Sequence, residues 1–344
     1  MNGYQQPNST QPIDNKRYSM KAVLCTRFGG PETLQVAEIE SPVAGPGEVV
    51  IAVKAAGLNF FDTLIIENKY QFKPELPFSP GAEVAGEVLS LGSGVEGFQI
   101  GDKVMAYTIW GGARAEIAVS QDAVITMPDG LDFATAAGLI VTYGTSLHAL
   151  KDRADIQPGE SLAVLGASGG VGQAAVEIGK AMGARVIACA SSDDKLEFCR
   201  TLGADETVNY AEEDIKSRLK ELSGGNGVDV IYDPVGADLA EPSFRAIAWK
   251  GRFLVVGFAG GGIPKIPLNL ALLKGAQIVG VFWGSFCERD PATNNANIRE
   301  LCDFYSAGKI KPHVSAHYAL AEAGQGIRDL AERRAMGKIV VTVD

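Results

Sequence analysis

The sequence predicts an α/β fold with two parts, a β-rich part and a doubly wound parallel sheet covered by helices on both faces. The pattern of residue types along the chain changes near residue 145. Before that point, short runs rich in β-branched residues are broken by glycine and proline, as in many short strands. From about residue 161, strand-like and helix-like runs alternate, which indicates parallel βαβ units. At 344 residues, the chain has room for about two domains.

Each element follows from a short segment. The β-rich part has these strand-like runs: "KAVLC", "EVVIAVKAAG", "AEVAGEVLSLG", "GDKVMAY" and "AEIAVS". The alternating part has these: "SLAVLG", "RVIACA", "ETVNY", "VDVIYD", "RFLVVGF" and "AQIVGVFW". One helix is expected to end at Met182 and another to begin at Asp194. Two later helices, "NANIRELCDFYSAG" and "AEAGQGIRDLAERRAMG", are followed by a last strand, "KIVVTV".

Composition favours a small-molecule partner. The 46% hydrophobic content supports substantial cores, and 21% charged residues argue against global disorder. With 31 basic and 41 acidic residues the net charge is −10, which disfavours nucleic acid and anionic membranes. No stretch approaches about 18 uninterrupted apolar residues, so no membrane span is expected.

The chain ends and the cysteines point to a cytoplasmic protein. Residues 1–19 are polar and lack the apolar run of a signal peptide, so we expect a disordered tail with Met20 as an alternative start. Five cysteines are scattered singly, without a CxxC pair. Reduced thiols are therefore expected.

A glycine-rich turn follows the first strand of the alternating part. The predicted phosphate-binding turn consists of Ser168, Gly169, Gly170, Val171 and Gly172. Glycine permits a tight turn, close approach of a pyrophosphate and close packing of helix on strand, while the helix N-terminus offers unpaired N–H groups. Ala167 replaces the usual first glycine, so a turn without a ligand is the alternative.

The end of the second strand favours NADP(H) over NAD(H). An NAD site normally has a carboxylate there, but this strand ends at Ala190 and is followed by Ser191 and Ser192. Lys195 lies just beyond, where a cation and two hydroxyls suit a 2′-phosphate. Asp194 is expected to cap the next helix, with Glu197 as its partner. A solvated helix lysine is the alternative for Lys195.

The order of the motifs resembles that of the medium-chain dehydrogenases/reductases, in particular their zinc-free, zeta-crystallin-like quinone oxidoreductase branch. The resemblance covers nearly the whole chain from Met20. It rests on these segments: "AAGLNFFD", "PGAEVAGEV", "GDKVMAY", "VTYGTSLHAL", "GASGGVGQAAVEIGKAMGARVIA", "LGADETVNY", "GVDVIYDPVG", "GRFLVVGFAGG" and "GKIVV".

This resemblance implies a domain arrangement. A GroES-like β-rich catalytic domain is expected over residues 20–143 and 284–344, around an inserted Rossmann domain over residues 144–283. Cofactor and substrate would lie in the cleft between them. The apolar sixth strand, "AQIVGVFW", ends the open sheet, and such an edge invites pairing with a second copy, so a homodimer is expected.

The resemblance also implies the absence of a metal. Zinc-dependent relatives have a cysteine in the place of Asn59 and a histidine in the place of Ala82, which leaves Glu83 without co-ligands. The three histidines show no ligand constellation and are expected to be structural. Alcohol oxidation is therefore disfavoured, whereas reduction of a conjugated acceptor is not.

Four residues are expected at the reacting atoms by resemblance. Asn59 and Thr142 would face the nicotinamide and the substrate oxygen, with Asn59 donating to a developing oxyanion. Asp62 would act there or only brace its loop. Tyr70 would donate a proton or stack on the substrate, whereas Leu64 stands where many relatives have a second tyrosine.

Further cofactor contacts are implied in the same way. Tyr210 would cover the adenosine phosphate beside Lys195. The ends of the fifth and sixth strands would approach the nicotinamide through Phe258, Ala259, Phe282 and Trp283. Two cations of the returning segment, Arg334 and Lys338, would reach the cofactor phosphates. Packing or surface charge is the alternative for each.

Three functions remain open from the sequence. The first is NADPH-dependent reduction of quinones, and the second is reduction of enones or 2-enoyl thioesters. The third is a nucleotide-binding protein with a structural or RNA-binding role, against which the net charge of −10 argues.

Overall fold

The computed structural model describes residues 18–343. Most of the tail expected over residues 1–19 lies outside the described residues. Its expected end is wrong, because Ser19 already opens the first strand. The strands are β1 (Ser19–Cys25), β2 (Leu34–Glu40), β3 (Glu48–Leu58), β4 (Glu83–Leu91), β5 (Lys103–Tyr107), β6 (Glu116–Ser120), β7 (Val124–Thr126), β8 (Ser161–Leu165), β9 (Arg185–Ala190), β10 (Glu206–Asn209), β11 (Val228–Asp233), β12 (Ile247–Val255), β13 (Gln277–Gly280), β14 (Val314–Ala319) and β15 (Lys338–Thr342).

The helices alternate with the strands in the second half of the chain. They are α1 (Phe60–Ile66), α2 (Phe133–Ala136), α3 (Ile140–Leu147), α4 (Gly170–Ala181), α5 (Asp193–Thr201), α6 (Ile215–Leu222), α7 (Ala237–Arg245), α8 (Leu268–Lys274), α9 (Trp283–Arg289), α10 (Pro291–Ser306) and α11 (Ala323–Ala331). A π-helical turn, His148–Arg153, follows α3 directly.

The parallel sheet has six strands in the order β10-β9-β8-β11-β12-β13, and every neighbouring pair is parallel. The chain winds outward from β8 in one direction and then from β11 in the other. Connections therefore diverge at the carboxyl ends of β8 and β11, and this divergence opens a crevice suited to a ligand. The doubly wound sheet predicted from the sequence is confirmed.

The second sheet combines strands from both ends of the chain. Its order is β14-β15-β3-β4-β5-β7, and β6 also pairs with β3. β15 is antiparallel to β3, with Val341 opposite Ala56. The last strands thus complete a sheet begun by the first third of the chain, and the predicted GroES-like part is confirmed.

The expected domain boundaries fall inside helices. Tyr143 and Gly144 both belong to α3, which packs against α4 of the parallel half and β5 of the other half. Trp283 and Gly284 both belong to α9. The boundaries at 143/144 and 283/284 therefore stay a prediction, since no break in the backbone marks them.

The predicted sixth strand is too long. β13 ends at Gly280, and the chain then turns so that Trp283 begins α9 and packs against Gly144. The sequence "VSAHYA" was not predicted as a strand, yet it forms β14 beside β15. Its alternating small and polar residues are exposed on one face, which weakens its strand signal.

Close packing of α4 on β8 positions the ligand crevice. β8 is wholly buried, with Leu162 and Val164 facing one hydrophobic core and Ala163 and Leu165 facing the other. A Cβ atom at Gly172 would lie 2.3 Å from the carbonyl oxygen of Gly166. Only glycine at position 172 therefore allows the N-terminus of α4 to come this near to the end of the strand.

Candidate active site

The glycine-rich turn lies between α3 and the returning C-terminal segment. The backbone N–H of Gly337 donates to the carbonyl oxygen of Ser168 at 2.8 Å, and Gly169 and Gly337 form an isolated parallel bridge. A Cβ at Gly170 would meet the methyl carbon of Thr142 at 3.1 Å. The turn, α3 and residue 337 thus enclose one wall of the crevice, into which the N–H groups at the start of α4 point.

Hydrogen bonds fix the side chain of Thr142 and the backbone of Val171. The Thr142 hydroxyl donates to the carbonyl oxygen of Gly138 at 2.8 Å, and its side chain is buried. The carbonyl oxygen of Val171 accepts from the Ser146 hydroxyl at 3.0 Å. Contact of Thr142 with a nicotinamide remains a prediction.

Three of the predicted cofactor residues meet at the ends of β9 and β10. The Lys195 ammonium donates to the Ser191 hydroxyl at 3.3 Å, and the hydroxyls of Ser191 and Tyr210 are hydrogen-bonded to each other. The backbone N–H of Tyr210 donates to the carbonyl oxygen of Ala190 at 3.1 Å. Lys195 thus lies beside the Ser191 hydroxyl, and Tyr210 binds the same hydroxyl, while no hydrogen bond within residues 18–343 joins Ser192 to this group; contact of these residues with a 2′-phosphate remains a prediction.

The cap of α5 differs from the prediction. Ser192 occupies the N-cap position and the helix begins at Asp193, so Asp194 lies inside the first turn and is not the cap. Asp193 accepts a hydrogen bond from the side-chain amide of Asn209 at 3.1 Å. This bond ties the start of α5 to the end of β10.

Arg333 and Arg334 differ in their electrostatic partners, and the sequence did not reveal this difference. Arg334 binds the carboxylates of Asp329 and Glu332, so its charge is already paired. The charge of Arg333 instead lowers the pKa of Tyr210, against the larger effect of burial, which raises it. Arg333 has a positive φ of 58°. Arg333 is therefore the arginine whose charge acts on Tyr210, and it was not predicted because spacing cannot tell which of two adjacent arginines pairs locally.

The prediction that Lys338 reaches the cofactor phosphates is wrong. Its side chain is buried, with 3% exposure of the residue, and its ammonium binds Glu83, which is 0% exposed. The same ammonium donates to Oδ1 of Asn59 at 2.6 Å. The buried charge of Glu83 attracts the lysine inward, because an unpaired carboxylate in an apolar interior is costly.

Asn59 belongs to the same cluster. Its Nδ2 donates to Oε1 of Glu83 at 3.1 Å, while the other carboxylate oxygen accepts the backbone N–H of Val141 at 2.9 Å. Both ends of the Asn59 amide are thus engaged by Glu83 and Lys338. The geometry assigns Asn59 a positioning role in place of the expected oxyanion donor.

Asp62 braces its loop, as one of its two predicted roles required. The side chain is fully buried, and its two oxygens accept the backbone N–H groups of Asn59 at 2.7 Å and Gly81 at 2.8 Å. Burial raises the pKa of Asp62 to about 6, and the two hydrogen bonds oppose this shift. With both oxygens occupied, Asp62 does not face a reacting atom.

Aromatic side chains from both halves of the chain pack against one another where the halves meet. This aromatic wall consists of Phe61, Tyr70, Phe72, Tyr107, Phe282 and Trp283. Tyr70 stacks on Phe61 with ring centroids 5.3 Å apart, and Phe72 lies 5.9 Å from Phe282. Such spacings suit favourable ring–ring contacts. Tyr107 was not predicted as a site residue, because nothing in "GDKVMAY" distinguishes it from an ordinary strand tyrosine.

The residues predicted at the ends of the fifth and sixth strands differ in exposure and in hydrogen bonding. Trp283 is buried and its indole N–H donates to Asn294 at 3.1 Å, so it supports the wall and is not available to a cofactor. Phe282 and Phe258 are exposed. The backbone N–H of Ala259 donates to the carbonyl oxygen of Pro234 at 3.0 Å. Contacts of Phe258, Ala259 and Phe282 with a nicotinamide remain predictions.

Within residues 18–343, no group of three or more His, Cys, Asp or Glu side chains is arranged to hold a metal ion. His148, for example, pairs with Asp152 at 2.8 Å and stacks on Phe286. Over the same residues, no helix is both long and apolar enough to cross a membrane.

Comparison with known proteins agrees with this geometry. Residues 45–152 match the alcohol dehydrogenase GroES-like domain, and residues 170–302 match the zinc-binding dehydrogenase family. A GroES-like part joined to a Rossmann sheet, with a cleft between them, defines a medium-chain dehydrogenase/reductase.

The relatives narrow the family. The chain is 38% identical over 328 residues to a quinone oxidoreductase-like protein 2 homolog of Nematostella vectensis, which covers 94% of this chain and 89% of that protein. It is 34% identical to a quinone oxidoreductase of Pseudomonas aeruginosa, covering 93% and 99%. The chain therefore belongs to the quinone oxidoreductase family and is an oxidoreductase.

Solved structures give the same result. An Escherichia coli quinone oxidoreductase complexed with NADPH superposes with a TM-score of 0.87 at 29% identity, covering 94% of this chain and 99% of that one. A probable oxidoreductase from Mycobacterium abscessus superposes with a TM-score of 0.87 at 38% identity, covering 95% and 99%.

The buried ion pair of Lys338 and Glu83 leads to a prediction about stability. Lys338→Met should lower the free energy of unfolding by about 3 to 5 kcal/mol, because it leaves the Glu83 carboxylate buried without a counter-charge. Adding Glu83→Gln should restore part of the loss. Urea denaturation at pH 7 measures both.

Lys180→Met is the matched control. The Lys180 ammonium pairs with Asp205 at 2.7 Å on the surface, so its loss should cost less than about 1 kcal/mol. A Lys338→Met variant no less stable than this control would show that the buried pair is not needed.

Proposed function

We propose that the protein reduces quinones with NADPH and without a metal ion. Two observations carry this proposal: the group of Ser191, Lys195 and Tyr210 at the ends of β9 and β10, and the aromatic wall. The first suits a phosphorylated dinucleotide, and the second suits a flat conjugated acceptor.

The residues present fit NADPH. The pyrophosphate would lie against Ser168–Gly172 and the N-terminus of α4, where glycine leaves the backbone open. The 2′-phosphate would be held by Lys195 and the Ser191 hydroxyl, with Ser192 and Arg333 beside them. The NADPH named for the structurally similar E. coli enzyme supports the same cofactor here. When bound, NADPH supplies the hydride.

The proposal excludes zinc on the chemistry of the donors. Glu83 is the one carboxylate of the expected ligand set, and it is engaged by Lys338, Asn59 and the N–H of Val141. Ala82 occupies the position of a second ligand, and its side chain has no atom that can coordinate a metal. An ammonium thus neutralises the carboxylate that a metal would otherwise require.

The experiment is NADPH oxidation with a panel of acceptors: a benzoquinone, a simple 2-alkenal and a short 2-enoyl thioester. We expect turnover with the quinone, because it accepts hydride readily and fits a wall of flat rings. Turnover with the thioester alone would replace this function by enoyl reduction. No turnover with any acceptor, together with RNA retention in a filter-binding assay, would favour the binding-protein alternative.

The cofactor assignment predicts a selective loss. Lys195→Ala should weaken NADPH by roughly 10- to 150-fold, since a charge-assisted contact contributes about 1.5 to 3 kcal/mol. NADH should be nearly unaffected, because it lacks the 2′-phosphate. Comparing kcat/KM for both cofactors measures the difference.

Arg200→Ala is the control, because Arg200 lies on the same helix but pairs with Glu197 at 2.9 Å on the surface. Arg200→Ala should leave kcat/KM unchanged for both NADPH and NADH. An equal loss of NADPH and NADH in Lys195→Ala would contradict the assignment.

We also propose a homodimer formed through the edge of the parallel sheet. β13 is the edge strand, and its Ile278 is 41% exposed. α8, on the adjoining connection, carries three exposed leucines, of which Leu272 is 79% exposed. An unpaired apolar edge of this kind favours pairing across a two-fold axis.

Sedimentation equilibrium should therefore give about twice the chain mass of 36.2 kDa. Leu272→Glu should shift this equilibrium towards the monomer, whereas Leu89→Glu, on the other sheet, should not. A wild-type protein that sediments as a monomer would end the proposal.

The five cysteines are all free, and this supports the proposed cytoplasmic location.

A further inference from the structure

The hydroxyls of two tyrosines in the aromatic wall, Tyr70 and Tyr107, bind no protein group among residues 18–343, although both side chains are half-buried. The hydroxyls of Tyr143, Tyr232 and Tyr318 each bind another side chain. A partly buried donor without a protein partner is the kind of group that a ligand oxygen satisfies.

Tyr107 stands at a defined place in the cleft. It is the last residue of β5 and lies opposite Glu83 in the register of β4 and β5. Its ring centroid is 4.8 Å from that of Trp283, with the rings inclined at 60°. Strand pairing on one side and the buried indole on the other therefore fix the direction of the phenol.

The hydroxyl points to where the two halves of the chain meet. A Cβ built on Gly284 would lie 3.2 Å from the hydroxyl oxygen of Tyr107. The same point is 3.6 Å from the ring of Phe72 and 3.9 Å from the ring of Phe282. Glycine at position 284 thus leaves no side chain between a polar hydrogen and two flat rings.

The phenol stays protonated under ordinary conditions. Burial raises the pKa of Tyr107, and the nearby acidic groups Cys287, Tyr70, Glu288 and Glu83 raise it further. The hydroxyl is therefore a hydrogen-bond donor at neutral pH, and an electron-rich oxygen is the ligand atom that it suits.

We propose that the Tyr107 hydroxyl donates a hydrogen bond to one carbonyl oxygen of a planar aromatic quinone whose ring lies against Phe72 and Phe282. This inference rests on the proposed function and names a specificity-determining residue within it. The hydroxyl keeps its proton: reduction to the hydroquinone takes a hydride from NADPH, which becomes NADP⁺, and one proton from water. The donor stabilises the negative charge that develops on the bound oxygen.

Tyr70 is the other tyrosine of the aromatic wall and offers the sharpest comparison. Its ring stacks on Phe61 at an interplanar angle of 19°, so one of its faces is covered by protein. Because its main contact is this stacking, which phenylalanine preserves, Tyr70→Phe should matter less than Tyr107→Phe.

The experiment measures binding by equilibrium dialysis without NADPH, so that no reduction occurs. The two probes are 1,4-naphthoquinone and naphthalene, which has the same ring system without the oxygens. Tyr107→Phe should weaken naphthoquinone by roughly 3- to 10-fold, as expected for one neutral hydrogen bond, and leave naphthalene unchanged.

Two further variants separate the hydrogen bond from the shape of the cleft. Gly284→Ala places a methyl group 3.2 Å from the hydroxyl and should weaken both probes. Tyr305→Phe removes the hydroxyl of another half-buried tyrosine, on α10, and should change neither. Equal melting temperatures by circular dichroism would show that the variants are folded.

The outcomes decide the proposal independently of catalysis. If Tyr107→Phe weakens both probes equally, or neither, the hydrogen bond to the quinone is wrong. A larger loss of naphthoquinone in Tyr70→Phe would transfer the role to that residue and also overturn it. If the wild type binds naphthoquinone selectively through Tyr107 but does not oxidise NADPH with any quinone, the proposed function fails while this site stands.

Discussion

The buried carboxylate of Glu83 is the constraint on which the arrangement of the site depends. An ionised group without exposure must be neutralised and hydrogen-bonded, or the fold loses several kcal/mol. Lys338 provides the opposite charge, Asn59 one hydrogen bond and the N–H of Val141 another. These partners come from the C-terminal strand β15, the start of α1 and the start of α3. Satisfying one side chain therefore fixes three distant parts of the chain at one point.

The return of the C-terminal segment links this point to the cofactor side of the cleft. Next to Lys338, Gly337 donates its N–H to Ser168 in the glycine-rich turn. Four residues earlier, the charge of Arg333 lowers the pKa of Tyr210. The same short segment thus neutralises Glu83, contacts the glycine-rich turn and carries a cation that acts on Tyr210. Its position is set by the buried ion pair, because β15 begins at Lys338.

The sequence predicted the fold well because its signals are local and periodic. Strands such as "VDVIYD" and "RVIACA" match β11 and β9 residue for residue, and the position of the glycine-rich turn follows from them. The resemblance singled out Asn59, Asp62 and Lys195, and contact of Lys195 with a cofactor stays a prediction. Side-chain direction was harder to predict. Lys338 was expected to face phosphates, but the charge that attracts it belongs to Glu83, which is 255 residues away in the sequence. Tyr107 and Arg333 carry no sequence signal, since their importance depends on which groups surround them.

We propose that an ammonium, and not a metal ion, balances Glu83 in the working enzyme. The most direct test is elemental analysis of the purified protein, combined with NADPH-dependent quinone reduction before and after treatment with a chelator. We expect less than about one zinc per ten chains and unchanged turnover, because Lys338 and Asn59 already bind the carboxylate. About one zinc per chain, lost together with activity on chelation, would contradict it.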